Sequence, residues 1–206
     1  MKTRKKTVLA TALLTAVFLL GSIFYKTTLL PHPIAINTAG HPTIGTGPIE
    51  MVIFEDLCCT NCRVFTENIF PQITSQYVET GKARLTVVLI SFGNHAKPLA
   101  NAALAVYKIA PTRFLPFILD LLHSKAARKK GILQSATKVG GIDLTALAKS
   151  IDSHQYYAEI DHNLIWARSL MGTDFGTPTF FVNGVESSTD SFDDVVRRIK
   201  QIERQK

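Results

Sequence analysis

The patterning of the chain predicts an α/β fold whose sheet is split by an all-helical insertion, and three observations carry this. A strand-like run, Met51-Val52-Ile53-Phe54, feeds a helix-like stretch and then a second apolar run containing Leu85, Val87, Val88, Leu89 and Ile90. From Lys97 to Met171 the periodicity becomes helical, with almost no strand signal. Strand character returns at Pro178 to Val182 and gives way to an amphipathic helical end. The order is βαβ, helical block, ββα.

At the N-terminus, Lys2, Arg4, Lys5 and Lys6 precede Thr7 to Tyr25, which runs without a charge. A basic start followed by roughly 20 apolar residues is the pattern of an export signal. Leu29, Leu30, Pro31 and Pro33 follow, and the nearest small-residue candidate, Thr38-Ala39-Gly40, stands far downstream. An uncleaved signal anchor is therefore favoured over a cleaved peptide. Positive-inside bias keeps residues 1–6 in the cytoplasm and sends the rest of the chain across the membrane. The formal charge of +7 is thus partly topogenic. A second basic cluster, Lys125, Arg128, Lys129 and Lys130, has no interleaved aromatics and reads as a solvated face, so no nucleic-acid partner is expected.

Residues 26–48 hold Pro31, Pro33, Pro42 and Pro48 with Gly40, Gly45 and Gly47, the composition of an extended linker. The fold is expected to occupy residues 49–206. Ile49 to Leu57 reads as a first strand, and Cys62 to Thr80 as a helix kinked at Pro71, which lacks a ladder N–H. Gly81 caps that helix, and Ala83 to Phe92 is a buried second strand. The insertion, about residues 97–171, should hold four or five helices. Asp143 is an N-cap candidate for Leu144 to Ile151, and Ser153 to Met171 closes at Gly172. Asn183-Gly184 marks a tight turn, and Phe192 to Ile202 forms the last helix.

All three cysteines stand in Cys58-Cys59-Thr60-Asn61-Cys62, between the first strand and the first helix. A C-x-x-C there puts Cys59 on the unsatisfied N–H groups and positive dipole end of the helix, which favours the thiolate. Cys62 follows one turn deeper on the same face, so the two sulfurs suit a reversible disulfide. Half of a zinc site is the rival, but it needs a second cysteine or histidine pair, and the six histidines are scattered. No metal or cofactor is expected.

With Phe54-Glu55-Asp56-Leu57 before the cysteines, His41-Pro42-Thr43-Ile44-Gly45 upstream, Thr80-Gly81-Lys82-Ala83-Arg84-Leu85 after the helix and Gly176-Thr177-Pro178-Thr179-Phe180-Phe181-Val182-Asn183-Gly184 near the end, the chain resembles the DsbA-like thiol:disulfide oxidoreductases over about residues 41–203. The resemblance implies a thioredoxin fold with a helical insertion, a catalytic pair Cys59 and Cys62, and a cis bond at Thr177-Pro178 that presents the Thr177 backbone to substrate. It also implies a place on the periplasmic side of a bacterial inner membrane, anchored by residues 7–25, or in the soluble periplasm after cleavage. Folding exported proteins with cysteines are the implied substrates, and a membrane redox partner would recycle the dithiol. No segment remains for a separate dimerisation domain, so a monomer is expected.

Two departures qualify the resemblance. Strongly oxidising members carry Pro-His between the cysteines; Thr60-Asn61 brings no charge, so a higher Cys59 pKa and a weaker oxidant are expected, with Thr60 and Asn61 as thiolate-tuning residues. Ile53 stands where the family often has a buried acid, which leaves Glu55 or Asp56 as proton acceptor. Cys58 is the odd thiol. A buried apolar role at the strand end is favoured, and the alternative is an accessory thiol that shuttles the disulfide. The spacing Cys58-x-x-x-Cys62 also fits a Cu(I) chaperone, and a reductase or isomerase remains a further reading.

Overall fold

The structure, a computed structural model, describes residues 11, 13–22, 33–124 and 128–204. The chain divides into two units, Met1–Ile34 and Ala35–Lys206. In the first, residues 13–22 are helical. Among the described residues no helix is long and apolar enough to cross a membrane. The basic start and both ends of the expected apolar span, residues 1–10 and 23–25, lie outside the described residues, as do residues 26–32 of the expected linker and Lys125 of the second basic cluster.

The second unit is built on a sheet in the order β1-β3-β2-β4-β5. Its central strand is β2 (Ile49–Glu55), parallel to β3 (Ala83–Leu89) with Ile53 opposite Val87, and antiparallel to β4 (Thr179–Val182) with Ile53 opposite Phe180. A strand covered on both faces needs apolar residues at successive positions, which is why Met51 to Phe54 is unbroken by polar groups. Side chains alternate: Met51 and Ile53 enter the larger core, whereas Val52 and Phe54 face a smaller one with Val88, Ile90 and Phe181. Each such large side chain contributes about 1.5–3 kcal/mol by leaving water.

The outer strands correct one expectation. Thr43–Ile44 is not linker but β1, paired antiparallel to β3, and the Val87 N–H donates to the Pro42 carbonyl at 2.8 Å. Gly47 passes so close to β3 that a Cβ there would stand 2.2 Å from the Ala83 nitrogen. That glycine is thus a packing requirement. On the other edge, Asn183 and Gly184 take positive φ (46° and 76°) and turn the chain into β5 (Val185–Ser187), as the dipeptide predicts.

The expected first helix is three pieces. It starts two residues early as α1 (Thr60–Asn68), breaks at Ile69, resumes as α2 (Phe70–Ile73) with Pro71 in its first turn, and ends in a π turn, Thr74–Val78. Proline is tolerated there because its missing N–H has no intrahelical partner.

The insertion contains α3 (Lys97–Ile109), α4 (Phe114–Ser124), α5 (Lys129–Val139), α6 (Leu144–Asp152) and α7 (Tyr157–Met171). Asp143 caps α6, accepting from the N–H groups of Thr145 and Ala146 at 2.9 and 3.0 Å. Buried Asn101 ties the block together, donating to the Ser150 carbonyl at 3.1 Å and accepting from the Tyr156 N–H at 2.7 Å. On α7, Asn163 donates to the Leu89 carbonyl at 3.0 Å, and Trp166 packs on Phe54 with ring centres 5.3 Å apart. These contacts dock the insertion on the sheet behind the cysteines. The chain closes with α8 (Phe192–Glu203), N-capped by Ser191.

Candidate active site

The site forms where β2 ends. Asp56 follows that strand and is buried; its carboxylate accepts from the Cys58 N–H at 2.8 Å and from the Phe92 N–H at 3.0 Å. Those bonds pin the loops after β2 and β3 to each other. Each oxygen accepts one backbone bond, so Asp56 acts as a structural staple between the two loops.

Cys59 is the N-cap of α1, with extended backbone angles (φ −73°, ψ 131°). Its Sγ donates to the Thr177 carbonyl at 3.2 Å, and the Thr177-Pro178 bond is cis. Two segments remote in sequence therefore meet at one sulfur. The Cys59 pKa is lowered to about 5: a hydrogen bond from the Cys62 thiol is the largest cause, desolvation opposes it, and the Thr177 side chain and the backbone N–H groups of Cys62 and Asn61 help. The carbonyl of Thr177 suits the protonated sulfur, and its hydroxyl suits the thiolate. Asn61 acts through its backbone N–H at the helix start.

Cys62 is fully buried. Desolvation first, then the hydrogen bond to Cys59 and the charge of Glu55, push its pKa far upward. Glu55 is buried in turn, on the same face of β2 as Ile53 and two residues nearer the cysteines. Its Oε1 accepts from the Thr66 hydroxyl at 3.0 Å, and among the described residues its Oε2 has no hydrogen-bond partner. Burial raises the Glu55 pKa to about 8, against the lowering effect of Thr66. Of the two acids considered from sequence, Glu55 is the one placed beside the inner sulfur. Thr66 was not singled out; its signal is a polar residue four positions after Cys62, on the buried face of α1.

Cys58 corrects another expectation. It is exposed, not packed under the strand end, and its Sγ leans toward the His95 carbonyl at 3.9 Å. Partial burial of the sulfur and the charge of Asp56 raise its pKa. Of the two sulfurs that a Cu(I) site would use, Cys58 is thus exposed and Cys62 buried. Among the described residues no three His, Cys, Asp or Glu side chains gather as a metal-holding group. All three thiols are free.

A thioredoxin family model matches residues 40–201, from before β1 into α8. The chain belongs to the thioredoxin family. Disulfide bond formation protein D of Bacillus subtilis is 28% identical over 160 residues, which cover 70% of this chain and 68% of that protein. The crystal structure of Chlamydia trachomatis DsbA superposes with a TM-score of 0.76 at 27% identity, covering 85% of this chain and 99% of that one. BdbD from Bacillus subtilis, in its oxidised form, gives 0.73 at 21% identity over 84% and 96% of the two chains, a likeness of fold. The chain spans little over half the length of the Rickettsia relatives it also matches. The DsbA-like resemblance and the sheet with a helical insertion hold, and with them the enzyme class: this thioredoxin-family chain is a protein disulfide oxidoreductase.

Proposed function

We propose that the chain is an exported disulfide donor that passes the Cys59–Cys62 bond to folding proteins and is a weaker oxidant than the strongly oxidising members of its family. One observation supports the reading above others: the outer sulfur is the N-cap of a helix, bonded to Thr177, with a pKa drawn down to about 5. That value falls between about 3.5, typical of a strong oxidant of this kind, and about 7, typical of a thioredoxin. A substrate thiolate attacks Cys59; the intramolecular bond breaks, Cys62 leaves, and Glu55 supplies the proton the buried sulfur requires. A second substrate thiolate then attacks the substrate sulfur of the mixed disulfide. Cys59 leaves readily, because a leaving thiol of lower pKa departs faster. In the reverse direction Glu55 is the proton acceptor for Cys62. Thr177 and Pro178 hold an extended substrate segment in line with Cys59 through backbone pairing.

The uncharged Thr7 to Tyr25 and the basic residues before it support a place on the periplasmic side of a bacterial inner membrane, anchored or released by cleavage. A monomer recycled by a membrane redox partner completes the reading. The test is the equilibrium potential in glutathione buffers with thiol trapping. A value above about −200 mV supports the donor, and a value near about −270 mV turns the chain into a reductant.

A further inference from the structure

We infer that the groove beside Cys59 favours substrate segments carrying lysine or arginine next to the reactive cysteine. The inference rests on the exchange reading above and adds a chemical class of substrate to it. A cavity of about 510 Å³ runs from Thr177 and Pro178, past Asn61 and Val64 on α1, to Glu186 on β5 and Asp190 in the loop that follows. Among the described residues its two ionisable lining groups are both carboxylates. Both residues are exposed, and among the described residues neither enters an ion pair. Glu186 projects outward between the buried Val185 and Ser187, as strand alternation requires. Asp190 is held on the wall by its own loop: its Oδ2 accepts from the Ser188 hydroxyl at 2.9 Å, and its N–H donates to the Ser188 Oγ at 3.1 Å.

The sign of this wall is opposite to that of the whole chain, which carries +7. The preference is therefore local to the groove and works against the long-range field. An extended peptide advances about 3.3 Å per residue. Side chains one to three positions from a cysteine bonded to Cys59 thus fall within about 10 Å, the screening length at 0.1 M salt. Two unpaired carboxylates lining the groove that such side chains enter attract a cationic neighbour and repel an anionic one before the sulfurs meet.

The oxidised full chain is mixed with three dithiol peptides that differ only in flanking lysine, serine or glutamate, and peptide oxidation is followed by thiol trapping. In each turnover one peptide disulfide forms and the Cys59–Cys62 bond breaks. Two electrons pass to the protein, one proton stays on Cys62 and the other goes to solvent. Each rate is divided by that of the same peptide with a small neutral disulfide, which removes the effect of flanking charge on the peptide thiol itself. The lysine peptide is expected to outpace the glutamate peptide about five- to tenfold at low salt, with the ratio shrinking as salt rises. Glu186→Gln and Asp190→Asn should each lower that ratio, and together bring it near one. The ratio is read within each variant, so a general loss of stability does not mimic the effect. Equal rates for the three peptides, or a ratio unchanged in the double variant, would overturn the inference while exchange itself stands. Failure to oxidise any peptide would overturn the exchange reading and the inference with it.

Discussion

Cys59 and Cys62 stand three residues apart on one helix, yet the regions around them handle charge in opposite senses. On the outer side, the hydrogen bond from the Cys62 thiol, then the Thr177 side chain and the backbone N–H groups at the start of α1, stabilise a thiolate against desolvation, and the Cys59 pKa falls to about 5. On the inner side, Cys62, Glu55 and Thr66 are all buried, and burial pushes both Cys62 and Glu55 toward their neutral forms. Hydrogen bonds outweigh desolvation at the outer sulfur, and desolvation prevails at the inner one. The same turn of helix thereby separates an attacking and leaving sulfur from a proton-holding one.

The strongest way to break this comparison is to remove one sulfur at a time. Cys59→Ser is expected to bring substrate oxidation down to the uncatalysed background, since the inner sulfur is shielded. Cys62→Ser should leave a competent outer thiol that forms a mixed disulfide and holds it. Mass spectrometry after incubation with a disulfide-bonded peptide checks both. Equal trapping by the two single variants would mean that inner and outer roles are not distinct.

Next in size is Glu55→Gln. General acid–base assistance is worth about 10²–10⁴ in rate. The step in which Cys62 leaves should slow by about the lower end of that range, while attack by a Cys59 thiolate in the reverse direction is less affected. The same variant has a stability signature. The folded pKa of Glu55, about 8, is above its ordinary value, so its contribution is full below that ordinary value and is lost as pH rises through about 8. The reduced wild-type chain should therefore lose stability between roughly pH 4.5 and pH 8 from this group, and the glutamine variant should lose less. Chemical denaturation of both proteins at two pH values reads the difference.

Thr177→Val acts on the outer side alone. A hydrogen bond to a charged group is worth about 1.5–3 kcal/mol, and one pKa unit about 1.36 kcal/mol, so losing one donor among several should raise the Cys59 pKa by about one unit. Thiolate absorbance against pH measures it. In the reduced wild type the nucleophile is present above pH of about 5 and is lost as pH falls through that value; in the variant the loss begins earlier.

How much of this was legible depends on the range of the interactions involved. The cysteine pair, the helix start behind it and the Asn183-Gly184 turn are local, and each is written in a few adjacent residues. The unbroken apolar run at Met51 to Phe54 announces a central strand because both faces must be covered. What was not legible needed partners far along the chain. Thr43–Ile44 is too short to show alternation, and only β3 makes it a strand. Cys58 is exposed because Asp56 turns the chain at that point through Phe92, a residue 36 positions away. Asp56 and Glu55 look equivalent as neighbouring acids, but alternation puts Glu55 inside while backbone N–H groups claim Asp56. The two carboxylates of the groove, Glu186 and Asp190, carry no signal near the cysteines at all.

The smallest expected effect is the sharpest test of where the outer thiolate draws its support. Between the cysteines, Thr60 and Asn61 are both exposed, and Asn61 contributes to the lowered pKa through its backbone N–H. A side chain that brings no charge should then be dispensable where its backbone is not. Asn61→Ala keeps the N–H and a helix-compatible residue at the first turn, so the Cys59 pKa should move by less than about half a unit, and Thr60→Ala by no more. Placing histidine at 61 adds a cation beside the sulfur and should lower the pKa further, making the chain a stronger oxidant. Thiolate titration and the redox potential of Asn61→Ala and Asn61→His, taken as a pair, decide the matter. A large rise in the alanine variant would shift the support from helix backbone to side chain, and the outer region would then depend on its dipeptide as much as on its fold.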